Sequence, residues 1–121
     1  MLGVIVFAHG SRDPLWRQPV ESVAQQIARR RGDVGLAEFE VGAGHHGRSV
    51  AARQLVAQGV TRVRVLPLFF GMGKHAREDL PVLMAQLAAT HPAVTFEQLP
   101  AAGEDPRLTA LLAQIALETA A

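Results

Sequence analysis

The sequence predicts a single α/β domain over residues 1–121, a three-layer αβα sandwich whose middle layer is a four-stranded parallel sheet in the order 2-1-3-4. Three observations carry this expectation. Four short β-like runs alternate with four segments of helical spacing, the pattern of βαβ units with right-handed crossovers. The first run, Leu2 to Ala8 (LGVIVFA), is almost continuously apolar, as a strand covered on both faces should be. The 121 residues hold no low-complexity linker, so one modest core suffices.

The elements follow in order. From Pro14, the apolar residues Leu15, Val20, Val23, Ala24 and Ile27 fall at helical spacing, and the segment closes on Arg29, Arg30, Arg31 and Gly32. Cations followed by glycine stop a helix, so the basic triplet reads as a helix end and not as a binding patch. Val34 to Val41 (VGLAEFEV) is a second strand, weakened by Glu38 and Glu40. A glycine-rich loop at 42–47 then leads to a short helix from Arg48 to Gln58, ended by Gly59. Arg62 to Phe70 (RVRVLPLFF) is the third strand. The third helix runs through Leu83 to Thr90 and stops before Pro92; its start lies either at Asp79, with Pro81 in the first turn, or nearer Lys74. Val94 to Leu99 (VTFEQL) is the fourth strand. Asp105 and Pro106 are an N-cap and first helical position for a last helix through Ala116.

Composition removes several function classes. The content of 49% hydrophobic and 19% charged residues is that of a folded globular chain. With 12 basic against 11 acidic residues, no global field recruits nucleic acid or an anionic membrane. Cysteine is absent, which excludes disulfides, thiolate catalysis and zinc–thiolate sites, so any metal must be held by nitrogen and oxygen. The start, MLGVIVFAHG, lacks a basic region and a cleavage pattern, and reads as a strand rather than a signal peptide. No apolar run approaches the roughly 18 residues of a membrane span. These points predict a cytoplasmic protein with no nucleic-acid or membrane partner.

In open α/β sheets ligands bind beyond the carboxyl ends of the strands. Here those ends read Ala8-His9-Gly10-Ser11-Arg12-Asp13-Pro14, Glu40-Val41-Gly42-Ala43-Gly44-His45-His46, and Gly71-Met72-Gly73-Lys74-His75. In the order 2-1-3-4, His9 lies between Glu40 and His75. Neighbouring strands are about 4.8 Å apart, and His–metal bonds are about 2.0–2.1 Å long. The three side chains can then converge on one cation and leave coordination positions open. Two imidazoles and a carboxylate suit iron, cobalt, nickel or zinc better than magnesium. Taken singly, His9 is equally a helix cap, Glu40 a solvated edge-strand residue and His75 a turn residue; their coincidence on one edge points to a site. GMGKH is not a phosphate loop, because Leu68 stands where the Walker spacing needs its first glycine and His75 where it needs Ser or Thr. His45 and His46 read as surface-loop residues that could add a ligand, and His91 as a helix-end residue.

These residues carry a resemblance. AHGSR at 8–12, FEV at 39–41, PLFFGMGKHAREDLP at 67–81 and GEDPRL at 103–108 resemble the small CbiX/SirB-type class II chelatases over nearly the whole chain. Such a chelatase-like protein inserts a divalent metal, Co2+, Fe2+ or Ni2+, into sirohydrochlorin or a related tetrapyrrole on the way to cobalamin, sirohaem or a nickel cofactor. The resemblance implies a lyase that works as a homodimer, takes the metal as substrate and needs no organic cofactor. It implies His9 and His75 as metal ligands and catalytic residues, with Glu40 as their carboxylate partner. The family pattern departs at 42–47, where an acidic-proline segment gives way to Gly-Ala-Gly-His-His-Gly.

On this reading Ser11, Arg12, Lys74 and Arg77 meet the carboxylates of the substrate. Phe69, Phe70 and Met72 face the ring or the core, with at least one phenylalanine in the core because strand neighbours alternate. Two other readings stand beside it. One is a metal or tetrapyrrole carrier of the same fold, motivated by the altered 42–47 segment. The other is a phosphatase with His9 as nucleophile, which needs a dense arginine cradle that Glu40 would oppose.

Overall fold

A computed structural model describes residues 1–8, 13–40 and 44–119, with the side chains of Pro14, Trp16, Phe39, Glu40, His75 and residues 44–49 left aside. The apolar run Leu2–Ala8 forms strand β1, flanked by β2 (Gly35–Glu40) and β3 (Arg62–Pro67), with β4 (Thr95–Gln98) outside β3. All pairs are parallel and the order is β2-β1-β3-β4, as expected. Helices α1 (Pro14–Arg30), α2 (Gly44–Ala57) and α3 (Lys74–Thr90) make the crossovers, and α4 (Pro106–Leu117) follows a 3-10 turn at Ala102–Glu104.

Strand alternation sorts the side chains. Ile5 and Phe7 of β1 and Val63 and Val65 of β3 form one buried core with Ala52 and Leu55 of α2 and Leu80, Leu83 and Leu87 of α3. Both helices therefore cover one face, and Val6, fully buried on the other face, lies toward α1. Gly3 and Gly35 are register partners. A β-carbon at Gly3 would stand 2.8 Å from Val60 Cγ1, and one at Gly35 would stand 3.0 Å from Leu55 Cδ2. The two glycines thus make the hollow into which Leu55 and Val60 seat α2. Gly59, at φ 90°, ends that helix in a conformation side chains resist.

Two element boundaries shift by more than a residue, each for a physical reason, and of the two starts expected for the third helix the structure takes the earlier one. Strand β3 stops at Pro67, not Phe70. Val65 C=O accepts from Leu99 N–H at 3.0 Å, and Pro67, next on that side, has no N–H to extend the ladder. Helix α2 begins at Gly44 instead of Arg48. Its glycines lower helix propensity, yet burial of Ala51, Ala52 and Leu55 decides the outcome. Helix α3 begins at Lys74, with Arg77 N–H donating to Gly73 C=O at 3.0 Å. Pro81 lies inside it; the Arg77 carbonyl that its missing N–H leaves unpaired is on exposed residues, where water satisfies it. The 3-10 turn at 102–104 was not signalled by any periodicity.

Two helices start on Asp-Pro pairs. Asp13 accepts from Leu15 N–H at 3.0 Å and Asp105 from Arg107 N–H at 2.8 Å. The basic end of α1 behaves as read: Arg29 and Arg30 fill the last turn and Arg31 pairs with Asp33 at 3.0 Å. None of α4 is buried, and Leu111, Ile115 and Leu117 are 49%, 57% and 81% exposed. Among the described residues no helix is long and apolar enough to cross a membrane.

Leu55→Ala should lower the unfolding free energy by about 2–5 kcal/mol in urea titration, since its fully buried side chain fills the Gly3–Gly35 hollow. The Arg107 side chain, then its backbone N–H, holds the Asp105 carboxyl down to about 2. The cap is accordingly present above the ordinary carboxylate range and lost as pH falls toward about 2. An NMR titration should place Asp105 there, and Arg107→Gln should move it back up toward the ordinary value.

Candidate functional site

Because every strand runs the same way, the segment after each strand leaves from one edge of the sheet. Ala8 pairs with Glu40 across β1 and β2, and Phe7 pairs with Pro67 across β1 and β3. Leu68 N–H continues the latter contact by donating to Phe7 C=O at 2.8 Å. The end of β1, the end of β2 and the segment after β3 therefore emerge side by side, within about 10 Å, two strand spacings. Helices α1, α2 and α3 begin at the same edge, presenting unpaired amides and the positive ends of their dipoles. That field favours anions and disfavours added cations.

The expected site residues distribute as follows. His9, Ser11 and Arg12 lie outside the described residues, in the connection that opens immediately after Ala8 and closes on the Asp13 cap. Glu40 is the last residue of β2 and His75 the second residue of α3; their side chains lie outside the described residues. Lys74 and Arg77 are exposed in the first turn of α3. His45 and His46 belong to the first turn of α2 and not to a loop, while 42 and 43 lie outside the described residues. Among the described residues no group of three His, Asp or Glu side chains forms a metal site.

His91 is elsewhere. It caps the far end of α3 through its backbone N–H to Leu87 C=O at 2.9 Å, with its ring centroid 6.3 Å from Phe96. The helix rise puts it roughly 24 Å from His75, so it is structural, as read. The adjacent phenylalanines divide. Phe69 is buried and meets Phe7 edge-to-face at 5.4 Å, whereas Phe70 is 76% exposed. Met72 is half-buried. Gly103, quoted above only as the start of GEDPRL, donates its N–H to Phe69 C=O at 2.8 Å and ties the 3-10 turn to this edge, a contact that nothing in the sequence signalled.

In class, this is an open parallel α/β domain with its histidine- and carboxylate-bearing positions gathered at the carboxyl edge, where such folds bind ligands. The chain belongs to the CbiX family, whose model matches residues 3–119. It is similar to the sirohydrochlorin cobaltochelatase of Saccharolobus islandicus (strain L.S.2.15 / Lassen #1), at 33% identity over 86 residues, covering 69% of this chain and 64% of that protein. The sirohydrochlorin cobaltochelatase of Methanosarcina barkeri (strain Fusaro / DSM 804) is 27% identical over 84 residues, covering 69% and 65%. The match thus spans less than two thirds of the length of either relative.

Among solved structures, a CbiX protein from Marinobacter aquaeolei VT8 superposes with a TM-score of 0.79 at 27% identity, covering 96% of this chain and 94% of that one. The sirohydrochlorin chelatase SirB from Bacillus subtilis subspecies spizizenii, in complex with cobalt, has a TM-score of 0.74 at 19% identity, covering 95% of this chain and 50% of that one. The latter likeness is one of fold.

Proposed function

We propose that this chain is a chelatase, a lyase that inserts a divalent metal into sirohydrochlorin or a related tetrapyrrole. Co2+ is the first candidate, because the similar proteins are cobaltochelatases and a chelatase of the same fold binds cobalt; Fe2+ and Ni2+ suit the same ligands. The observation that carries the reading is the convergence of the β1 end, the β2 end and the first turn of α3 on one edge, in a chain of the CbiX family.

His9 and His75 hold the hydrated metal through neutral imidazoles, and Glu40 completes the set. Three protein ligands leave positions for the pyrrole nitrogens to replace water. As the M2+ ion enters, two pyrrole N–H protons depart, so charge balances, and an imidazole or Glu40 accepts them. Ser11, Arg12, Lys74 and Arg77 engage the carboxylates of the macrocycle. Residues 44–47 are helical, so the altered 42–47 segment that motivates a carrier without turnover is mostly the start of α2.

A homodimer accompanies this reading. The exposed apolar residues of α4 and the match to half of a longer chelatase chain support a second copy supplying the other half.

Anaerobic absorbance with sirohydrochlorin and Co2+ should show metal insertion at catalytic protein concentration, above the spontaneous rate. His75→Ala should lower that rate by roughly 100-fold or more with an unchanged circular dichroism spectrum; full activity in this variant refutes the assignment, and binding without turnover in the unaltered protein replaces the enzyme with a carrier. Sedimentation should give twice the 13.0 kDa chain mass, and Leu111→Glu with Ile115→Glu should yield monomers; a monomeric unaltered chain removes the dimer.

A further inference from the structure

Phe69 and Phe70 are chemically identical neighbours with opposite fates, 7% and 76% exposed. The difference is enforced by the backbone. Leu68 N–H is bound to Phe7 C=O at 2.8 Å on one side, and Gly103 N–H to Phe69 C=O at 2.8 Å on the other. A β-carbon at Gly103 would overlap the carbonyl oxygen, carbonyl carbon and Cα of Phe70, so only glycine fits against this backbone. The segment carrying Gly103 is itself fixed, since Ala101 is fully buried and Leu99 N–H donates to Val65 C=O at 3.0 Å. With the Phe69 ring committed to Phe7 in the core, Phe70 cannot exchange places with it. Its ring is held out in the connection between the carboxyl end of β3 and the first turn of α3, ahead of exposed Lys74 and Arg77.

An aromatic face held in water, with two exposed cations four and seven residues further along the chain, complements a flat conjugated ring with an anionic rim: the ring takes the π-surface and the cations take the carboxylates. We propose that Phe70 contacts the macrocycle face of the substrate, and that Gly103 is the positioning residue that keeps its ring there. The assignment rests on the chelatase reading and adds to it a residue that sets substrate affinity without touching the metal.

Anaerobic titration with metal-free sirohydrochlorin tests it. Phe70→Ala should raise Kd and KM roughly tenfold with kcat unchanged within about twofold, and Phe70→Trp should restore both. Gly103→Ala should weaken binding to a similar degree although Phe70 is retained. Because Gly103 acts through Phe70, the double variant should bind no more weakly than Phe70→Ala alone. An unchanged Kd in Phe70→Ala overturns the proposal, as does dissociation of that variant into monomers, which would make the ring a contact between copies. An additive loss in the double variant overturns the role of Gly103. An unaltered protein that binds no tetrapyrrole overturns the chelatase reading and this inference together, whereas an unchanged KM in Phe70→Ala, beside working insertion in the unaltered protein, sinks the inference alone.

Discussion

The two-sided parallel ladder of β1 is the constraint from which the rest of the structure follows. Its register joins Gly3 through Ala8 to Gly35 through Glu40 on one side, and Leu2 through Phe7 to Arg62 through Pro67 on the other. Parallel neighbours cannot be linked by a tight turn, so the chain must return along a helix after each strand. Every departure therefore occurs at one edge and every helix begins there. Forming the sheet brings these strand ends and helix starts to one edge.

That ladder also makes the two faces of the sheet unequal. On the α2–α3 face, paired glycines and buried aliphatic residues form a dry core that reaches Phe69 at the functional edge. On the opposite face, Arg64 of β3 and Glu97 of β4 are register partners joined at 3.2 Å, and Arg62 approaches the same carboxylate at 3.3 Å. Part-exposed pairs of this kind contribute at most about 1 kcal/mol, and they offer little apolar surface. Helix α4 is amphipathic with nothing buried, so its apolar residues Leu111, Ile115 and Leu117 stay exposed. The larger core thus lies on one side of the sheet.

Much of this was legible in the residues. LGVIVFA reads as a doubly covered strand, and the order 2-1-3-4, expected as the commonest for a small doubly wound sheet, is the one observed. Asp105-Pro106 announced α4 because a carboxylate cap and a residue lacking N–H both suit a helix start. The misjudged boundaries share a cause: local propensity was weighed without knowing what packing would decide. Gly44 and Gly47 looked like loop until Leu55 found its hollow, and Leu68 to Phe70 looked like strand although Pro67 had already ended the ladder on the β4 side. The candidate site was read as residue types at strand ends, of which the described residues give only the backbone places of Glu40 and His75. That one of Phe69 and Phe70 belongs to the core was legible from strand alternation; which one was not, because that depends on Gly103, more than thirty residues along the chain, pressing on their backbone.

Such long-range contacts bear on what a chelatase must do. A metal that is cargo has to be held in one geometry and then surrendered, and ligands drawn from a single rigid helix would bind it as a tight chelate. On the proposed reading the ligands come from three separate elements, the β1 exit, the β2 end and the first turn of α3, so none enforces the position of another through a short covalent path. On the same reading the rigid component lies under the macrocycle instead, since the 68–70 backbone is tied to β1 and to the 3-10 turn by two hydrogen bonds of 2.8 Å. A fixed platform for the ring and separately mounted ligands for the ion would then divide the task, so that the ion moves and the ring does not. Transfer is then downhill from three separately mounted protein ligands to four nitrogens already fixed in one plane, because the entropy of arranging those four donors has been spent before the ion arrives.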